Sequence, residues 1–374
     1  MKRNRNHWSA GQQAIALCSP LQRKERGLCR RDQVATLQRN WLQDLFWARS
    51  EAEMEALMVW LNLFPVNWRQ LQDPFLLTVQ VETLRQHLNS GFTQLLSAMA
   101  LDRAVQISLN GPANQRGNPN ENLGRELLEL FSLGEGNYTE MDVKEAARAL
   151  TGYRLTKQQQ LIFDPDRHDS GSKTILGRSA NFDLLSLVDW IGQQPATANH
   201  IARWVWRRRI GTTPTTQRLR TLADRWRQEK LSLPWLMREM TQSPEAESSR
   251  RQGMRIADPM EMLAKTVRLL GSHHPEAIEI SLRGLRAMGQ TPFEPPSVKG
   301  WPVNEEWLQL RWIQARRRTL QTLIGNEEIW DSRTMREELS PSLTRMQPLT
   351  LRLPAKATRE NYALLFADPV WQLG

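Results

Sequence analysis

The sequence predicts an all-α protein, a multi-helix array with one long irregular stretch. Three observations carry this. Apolar residues return every three or four positions from Val34 to Ala367. Alternating strand patterns are nearly absent. Several segments open on Ser, Thr, Asp or Asn followed by an acid or a proline, the chemistry of a helix start.

Residues 1–32 read as a flexible basic arm, and 33–374 as a single large helical domain. Helical spacing begins with Val34, Leu37, Trp41, Leu42 and Leu45. A second helix is expected over Glu51–Phe64, stopped by Pro65. Asp73-Pro74 opens a third, running through Leu77, Val81 and Leu84. Phe92–Val105 reads as one further helix with Leu95, Leu96, Met99 and Ala100 on its face. Residues 110–118 form a loop of Asn, Gly, Pro and Gln. Residues 152–182 are the longest non-helical stretch and hold two candidate short strands, Leu161–Phe163 and Thr174–Leu176. Helices return at 183–193, 195–209, 215–228 and 233–242, where Pro244 stops the chain. Asp258 caps a helix over 258–271 with Pro259 at its first position. A Pro/Gly/Trp loop fills 289–304, a helix 305–323, a proline-rich linker 338–356, and a last helix Arg359–Ala367.

Hydrophobic residues make up 40% of 374, enough for a sizeable core, and charged residues 24%, which argues against wholesale disorder. Cys18 and Cys29, the two cysteines, exclude a disulfide framework and a four-cysteine zinc site and read as unpaired thiols. No apolar run reaches the roughly 18 residues of a membrane span, and Ala14–Cys18 is too short for the core of a signal peptide. The default location is the cytoplasm, with export left open. The net charge of +10 is unevenly placed. Residues 1–40 carry +7, 41–200 carry −6, 201–255 carry +8 and 256–374 carry +1. Nucleic-acid binding needs clustered cations, and only the arm and the 201–255 segment supply them.

Asn118–Gly134 is the most fully specified helix. Asn118 serves as cap, Pro119 as first residue, Glu121 as the acid at the third position, and Gly134 as the C-terminal stop. Leu123, Leu127, Leu130 and Phe131 fall on one side. Asn122, Arg125, Glu126 and Glu129 fall on the other, either as a solvated face or as a site. The next helix starts at Thr139 with Asp142 three residues on, a capping box, and ends at Gly152.

These residues carry a resemblance. Asn118-Pro119-Asn120-Glu121-Asn122, Arg125–Phe131, Gly134, Gly136, Tyr138-Thr139-Glu140 and Glu145–Gly152 resemble the signature of the bacterial domain-of-unknown-function family 1800. So do His168-Asp169, Lys173-Thr174, Leu176-Gly177, Pro195–Ala198 and Pro295-Pro296-Ser297-Val298-Lys299-Gly300-Trp301-Pro302. The similarity runs from about residue 55 to the C-terminus. It implies a helical fold and a protein partner, because the family often occurs beside an exported partner family, and it implies no activity. Where the family pattern has two histidines around an asparagine, this chain reads Trp60-Leu61-Asn62-Leu63-Phe64. Leu61 and Leu63 cannot ligate metal or move protons.

Three function classes follow. The first is a non-catalytic accessory or interaction protein. The second is a hydrolase-like enzyme using Glu126, Glu129 and His168, with Asn122, Arg125, Asp169 and Trp301 binding ligand. The third is a nucleic-acid binder using the basic arm, or Arg203 and Arg207–Arg209 interleaved with Trp204 and Trp206. Such an arginine run also suits the negative end of a helix. Ser172-Lys173-Thr174 lacks the glycine spacing of a phosphate loop, and His273-His274 lacks companion ligands. No metal and no cofactor are expected.

Overall fold

The computed structural model describes residues 23–71, 73–330 and 358–374. Most of the predicted arm, Cys18 and the 338–356 linker lie outside the described residues. Among the described residues 65% are helical, and two small two-stranded sheets are present. Among the described residues no helix is long and apolar enough to cross a membrane.

Helix α1 covers Arg23–Phe46, so it begins before the apolar spacing that starts at Val34. Its Leu37, Trp41, Leu42, Leu45 and Phe46 are buried, recurring every three or four residues along one face. Cys29, on the exposed first half, is disulfide-bonded, which corrects the expectation of an unpaired thiol there. Helix α2 is Glu51–Leu63, with the Ser50 hydroxyl accepting from the Glu53 amide at 3.1 Å. Helix α3 is Phe75–His87.

The helix expected over 92–105 is two. Helix α4 ends at Ala100 and α5 covers Arg103–Ser108. Asp102 makes the break: its buried carboxylate accepts from the Ala104 and Val105 amides at 2.9 and 3.1 Å, a cap that apolar periodicity cannot see. A similar correction applies to α6, Glu121–Leu128. Its cap is Asn120, not Asn118, because Asn114 Oδ1 fixes the Asn120 amide at 2.9 Å and starts the helix two residues late. The helix then widens into a π turn over Glu129–Leu133, closed by Gly134 N–H to Glu129 C=O at 3.1 Å. Helix α7, Glu140–Ala149, has the predicted Thr139/Asp142 capping box.

The irregular stretch holds two hairpins rather than two strands. Strand β1 (Tyr153–Leu155) pairs with β2 (Leu161–Phe163), and β3 (Lys173–Ile175) with β4 (Arg178–Ala180). Leu176 (φ 48°) and Gly177 (φ 75°) make the second turn in left-handed conformations. Then follow α8 (Leu184–Gln193), α9 (Pro195–Arg209), α10 (Thr216–Gln228) and α11 (Leu233–Gln242).

Pro244 ends α11 but also starts a helix that the sequence reading lacked. Ser243 accepts from the Ala246 amide at 3.2 Å and Pro244 is the first residue of α12, Pro244–Gln252. Helix α13 is Pro259–Leu270, capped by Asp258, and α14 is Pro275–Ala287, also unread in the sequence. A 3₁₀ turn at Asn304–Trp307 precedes α15, Leu310–Gly325, and the chain closes with α16, Arg359–Ala367.

One continuous apolar core runs from Leu37 to Trp371. Helix α1 lies against α13 and α14, so the N- and C-terminal parts close on each other. Helix α9 packs on α10, α11 and the π turn. These contacts bring α2, the end of α9, the start of α13 and the 300–307 loop to one place.

Candidate functional site

The polar face of α6 is only partly solvated. Asn122 is exposed. Arg125 is taken up by Glu121 at 3.1 Å and Glu140 at 2.7 Å. Glu129 accepts from the Tyr138 hydroxyl at 2.5 Å. The Glu126 carboxylate has no hydrogen-bond partner among the described residues. Burial raises its pKa, and the Glu129 charge adds to this against Lys299 and Arg125.

His168 and Asp169 belong to a separate, internally satisfied loop. His168 Nδ1 lies 3.0 Å from the Thr151 carbonyl, and its ring packs 5.3 Å from that of Phe163. Asp169 accepts from Arg148 at 2.7 and 3.1 Å, and that hydrogen bonding holds its carboxyl below the usual range. Lys173 is buried and donates to the Gly171 and Phe182 carbonyls at 3.0 and 2.8 Å. Neither hydrogen bond nor ion pair joins His168 to Glu126 or Glu129 among the described residues. His168 and Asp169 take their partners from Thr151, Phe163 and Arg148 instead.

Trp301 marks a different site. Gly300 (φ 80°) approaches α2 so closely that a Cβ there would lie 2.2 Å from Asn62 Oδ1. The same oxygen accepts the Trp301 amide at 3.2 Å. Beside this junction is a crevice of about 70 Å³, whose walls include Asn62, Arg208, Arg209, Asp258, Glu261, Asn304 and Trp307. A smaller cavity of about 20 Å³ shares Met58, Asn62 and Asp258 with it and is lined by Trp41, Leu61 and Trp301. Leu61 and Leu63 are both buried, so the two histidine-to-leucine departures are apolar packing here.

The crevice charges are ordered by burial. Arg209 pairs with Glu55 at 2.6 Å, and Arg255 with Glu261 through two hydrogen bonds, one of them 2.6 Å. Burial opposes ionisation of Glu261, yet Arg255 holds its pKa down to about 2. Burial and then the Glu261 charge push Asp258 up. Arg208 stacks 3.7 Å above the Trp204 ring. It keeps some solvent exposure, but its Nε is shielded from water and has no partner. Burial and the neighbouring Arg207 lower its pKa to about 9. The Nε of Arg209 and the indole N–H of Trp307 are likewise buried without partners, as are the indole N–H groups of Trp41 and Trp301.

A family profile described as "Protein of unknown function (DUF1800)" matches residues 3–372, well beyond the residue-55 start of the similarity read from motifs. The chain belongs to this family. No curated protein and no solved structure matches it. Three contacts join α2, the 299–301 loop, α6 and the π turn. Asn62 in α2 holds Gly300 and Trp301, the Lys299 charge acts on Glu126 of α6, and Phe64 packs 5.0 Å from Phe131 of the π turn. The sequence offers Trp301 as a ligand-binding candidate and Arg207–Arg209 as a nucleic-acid candidate, but gives no sign that Arg208, Asp258 and Trp307 line one crevice. Arg207–Arg209 do occupy the last turn of α9. The four-residue spacing of Trp204 and Arg208 was the available signal for a stacked cation.

The DUF1800 chain also has an exposed apolar surface at the start of α15. Leu308, Leu310 and Ile313 are 49%, 71% and 41% exposed. Arg311, Arg317 and Arg318 lie on the same helix, all exposed, with no acidic partner among the described residues; Arg311 lies over the Trp312 ring. Leu310, Ile313 and Arg317 share one helical face.

Proposed function

We propose that this chain is an accessory protein that docks a protein partner through the start of α15. The exposed Leu308/Leu310/Ile313 cluster supports this most directly. Single exposed apolar residues are ordinary, but a grouped set on one surface marks an interaction site. The three unpaired arginines on the same helix call for a partner whose contact surface is acidic around an apolar centre. The test is photo-crosslinking from position 310 in the full chain, with Leu308→Asp/Ile313→Asp in the same probe-bearing chain as control. The expected result is a cross-link to an acidic segment of one protein, formed in lower yield as salt is added and lost in the variant. Cross-links that persist in the variant, or go to nucleic acid, overturn the reading.

A second reading is acid–base chemistry at Glu126. Its raised pKa and lack of a hydrogen-bonded partner favour it. A substrate screen decides it: a hydrolytic activity abolished by Glu126→Gln supports it, and an unaffected activity removes it.

A further inference from the structure

Buried N–H groups are almost always paired, because an unpaired one forfeits a hydrogen bond to water and gains nothing. The crevice beside Asn62 breaks this rule three times in one small space. The Nε of Arg208, the Nε of Arg209 and the indole N–H of Trp307 are all buried donors without acceptors. Asn62 adds a fourth donor. Its Oδ1 is committed to the Trp301 amide, so its Nδ2 is the end left for the crevice. A wall made of donors is complementary to a group made of acceptors.

We propose that this crevice binds a carboxylate, with Arg208 as its anchor and Arg209, Asn62 and Trp307 as further donors. This is independent of the docking surface on α15.

Three features select a carboxylate. At about 70 Å³ the crevice holds roughly two waters' worth of volume, about 30 Å³ each, which suits one headgroup rather than a whole drug-sized ligand. Arg208 is the cation available: Arg209 and Arg255 are already paired with Glu55 and Glu261. Its planar fork, held flat on Trp204, matches the two oxygens of a carboxylate. Finally, Glu55, Asp258 and Glu261 stand in the same walls. They repel a phosphate dianion more than a carboxylate monoanion.

The carboxylate can belong to a free small acid or to a polypeptide, as an acidic side chain or C-terminus. Titration of the full chain with acetate at constant ionic strength, followed by the indole N–H resonance of Trp307, tests the site directly. Acetamide serves as the uncharged isostere and inorganic phosphate as the dianion. A peptide with a free C-terminus and its amidated twin distinguish the two sources. The expected result is a saturable shift with acetate, absent with acetamide and weaker by tenfold or more with phosphate. Arg208→Gln should lower acetate affinity at least tenfold while melting no lower than wild type without ligand, since it removes an unpaired, desolvated cation. Arg208→Lys, which keeps the charge and loses the fork, should bind at an intermediate level and covers the case in which the glutamine variant fails to fold. Free-acid peptide binding tighter than acetate assigns the site to a polypeptide, and equal binding assigns it to a small acid. No saturable shift with any carboxylate, phosphate binding as tight as acetate, or full affinity in both Arg208 variants overturns the proposal.

Discussion

The amide of Trp301 donates to Asn62 Oδ1 at 3.2 Å across a separation of 239 residues, and this bond ties the 299–303 loop to α2. Truncating Asn62 to alanine leaves the Trp301 amide without its acceptor, at a cost of about 1–2 kcal/mol. Gly300→Ala should cost more, about 2–4 kcal/mol, since its positive φ and the 2.2 Å approach to Asn62 Oδ1 act together. The two losses should not add fully, because Asn62→Ala also removes the nearer of the two atoms the new methyl would strike, leaving the Asn62 carbonyl oxygen at 2.9 Å. Denaturant melts of the two variants and the double variant measure this, and simple additivity would count against the contact.

Much of the fold was legible because its elements announce themselves locally. Helix α11 falls on Leu233–Gln242 as the spacing predicts, and Asp258-Pro259 opens α13 as cap and first residue. What was missed follows a common cause. Asp102 and Ser243-Pro244 both stand where one helix stops and another starts; apolar periodicity runs straight through the first and records only the stop at the second. The site was legible in part. The spacing put Glu126 and Glu129 on one face of α6, while His168 takes its contacts from Thr151 and Phe163. Arg208 and Asp258 become a site only when α9 and α13 pack together, and no local pattern encodes that meeting.

Asp142 holds two structures at once. One oxygen completes the capping box on Thr139 at 2.8 Å, and the other accepts the Leu176 amide at 2.7 Å. Leu176 sits at φ 48°, a conformation leucine adopts at a cost, so the second bond fixes a strained turn. Asp142→Ala should lose the cap and release the β3–β4 hairpin, destabilising by about 2–3 kcal/mol. Hydrogen exchange should quicken at Leu176 as well as in the first turn of α7. Exchange confined to α7 would show that the hairpin stands without Asp142.

Glu126 and Glu129 are three residues apart and should respond oppositely to amidation. Glu129 accepts a charge-assisted bond from Tyr138, so Glu129→Gln should cost about 1–2 kcal/mol. Glu126 has its pKa raised by burial and by Glu129. A carboxylate raised in the folded state binds its proton more tightly there, so it penalises stability as pH rises through its titration. Glu126→Gln should therefore be neutral or slightly stabilising at pH 7, by under about 1 kcal/mol after solvent screening, and indistinguishable from wild type below the usual carboxylate range. Equal destabilisation in both variants, read by thermal melts across pH, would be inconsistent with this difference.

The sharpest contrast lies at the start of α13. Glu261 is paired with Arg255 and titrates near pH 2, below its ordinary 4.5. Its contribution is present above the unfolded-state pKa and is lost as pH falls toward 2. Glu261→Gln leaves Arg255 as an uncompensated buried cation, and removing one partner of a buried pair costs about 3–5 kcal/mol. Asp258 is shifted the other way, by burial and then by the Glu261 charge. Its penalty grows as pH rises, and amidation removes that penalty. The cap survives, since an asparagine oxygen can still accept the Glu261 amide that Asp258 Oδ1 now accepts at 2.9 Å. Asp258→Asn should therefore match or exceed wild-type stability at pH 7 and lose its advantage as the pH is lowered, while Glu261→Gln is severely destabilised at pH 7 and converges on wild type only in acid. Urea melts at pH 3, 5 and 7 separate the two carboxylates. A destabilised Asp258→Asn at pH 7 would mean that the ionised form is the one the crevice requires.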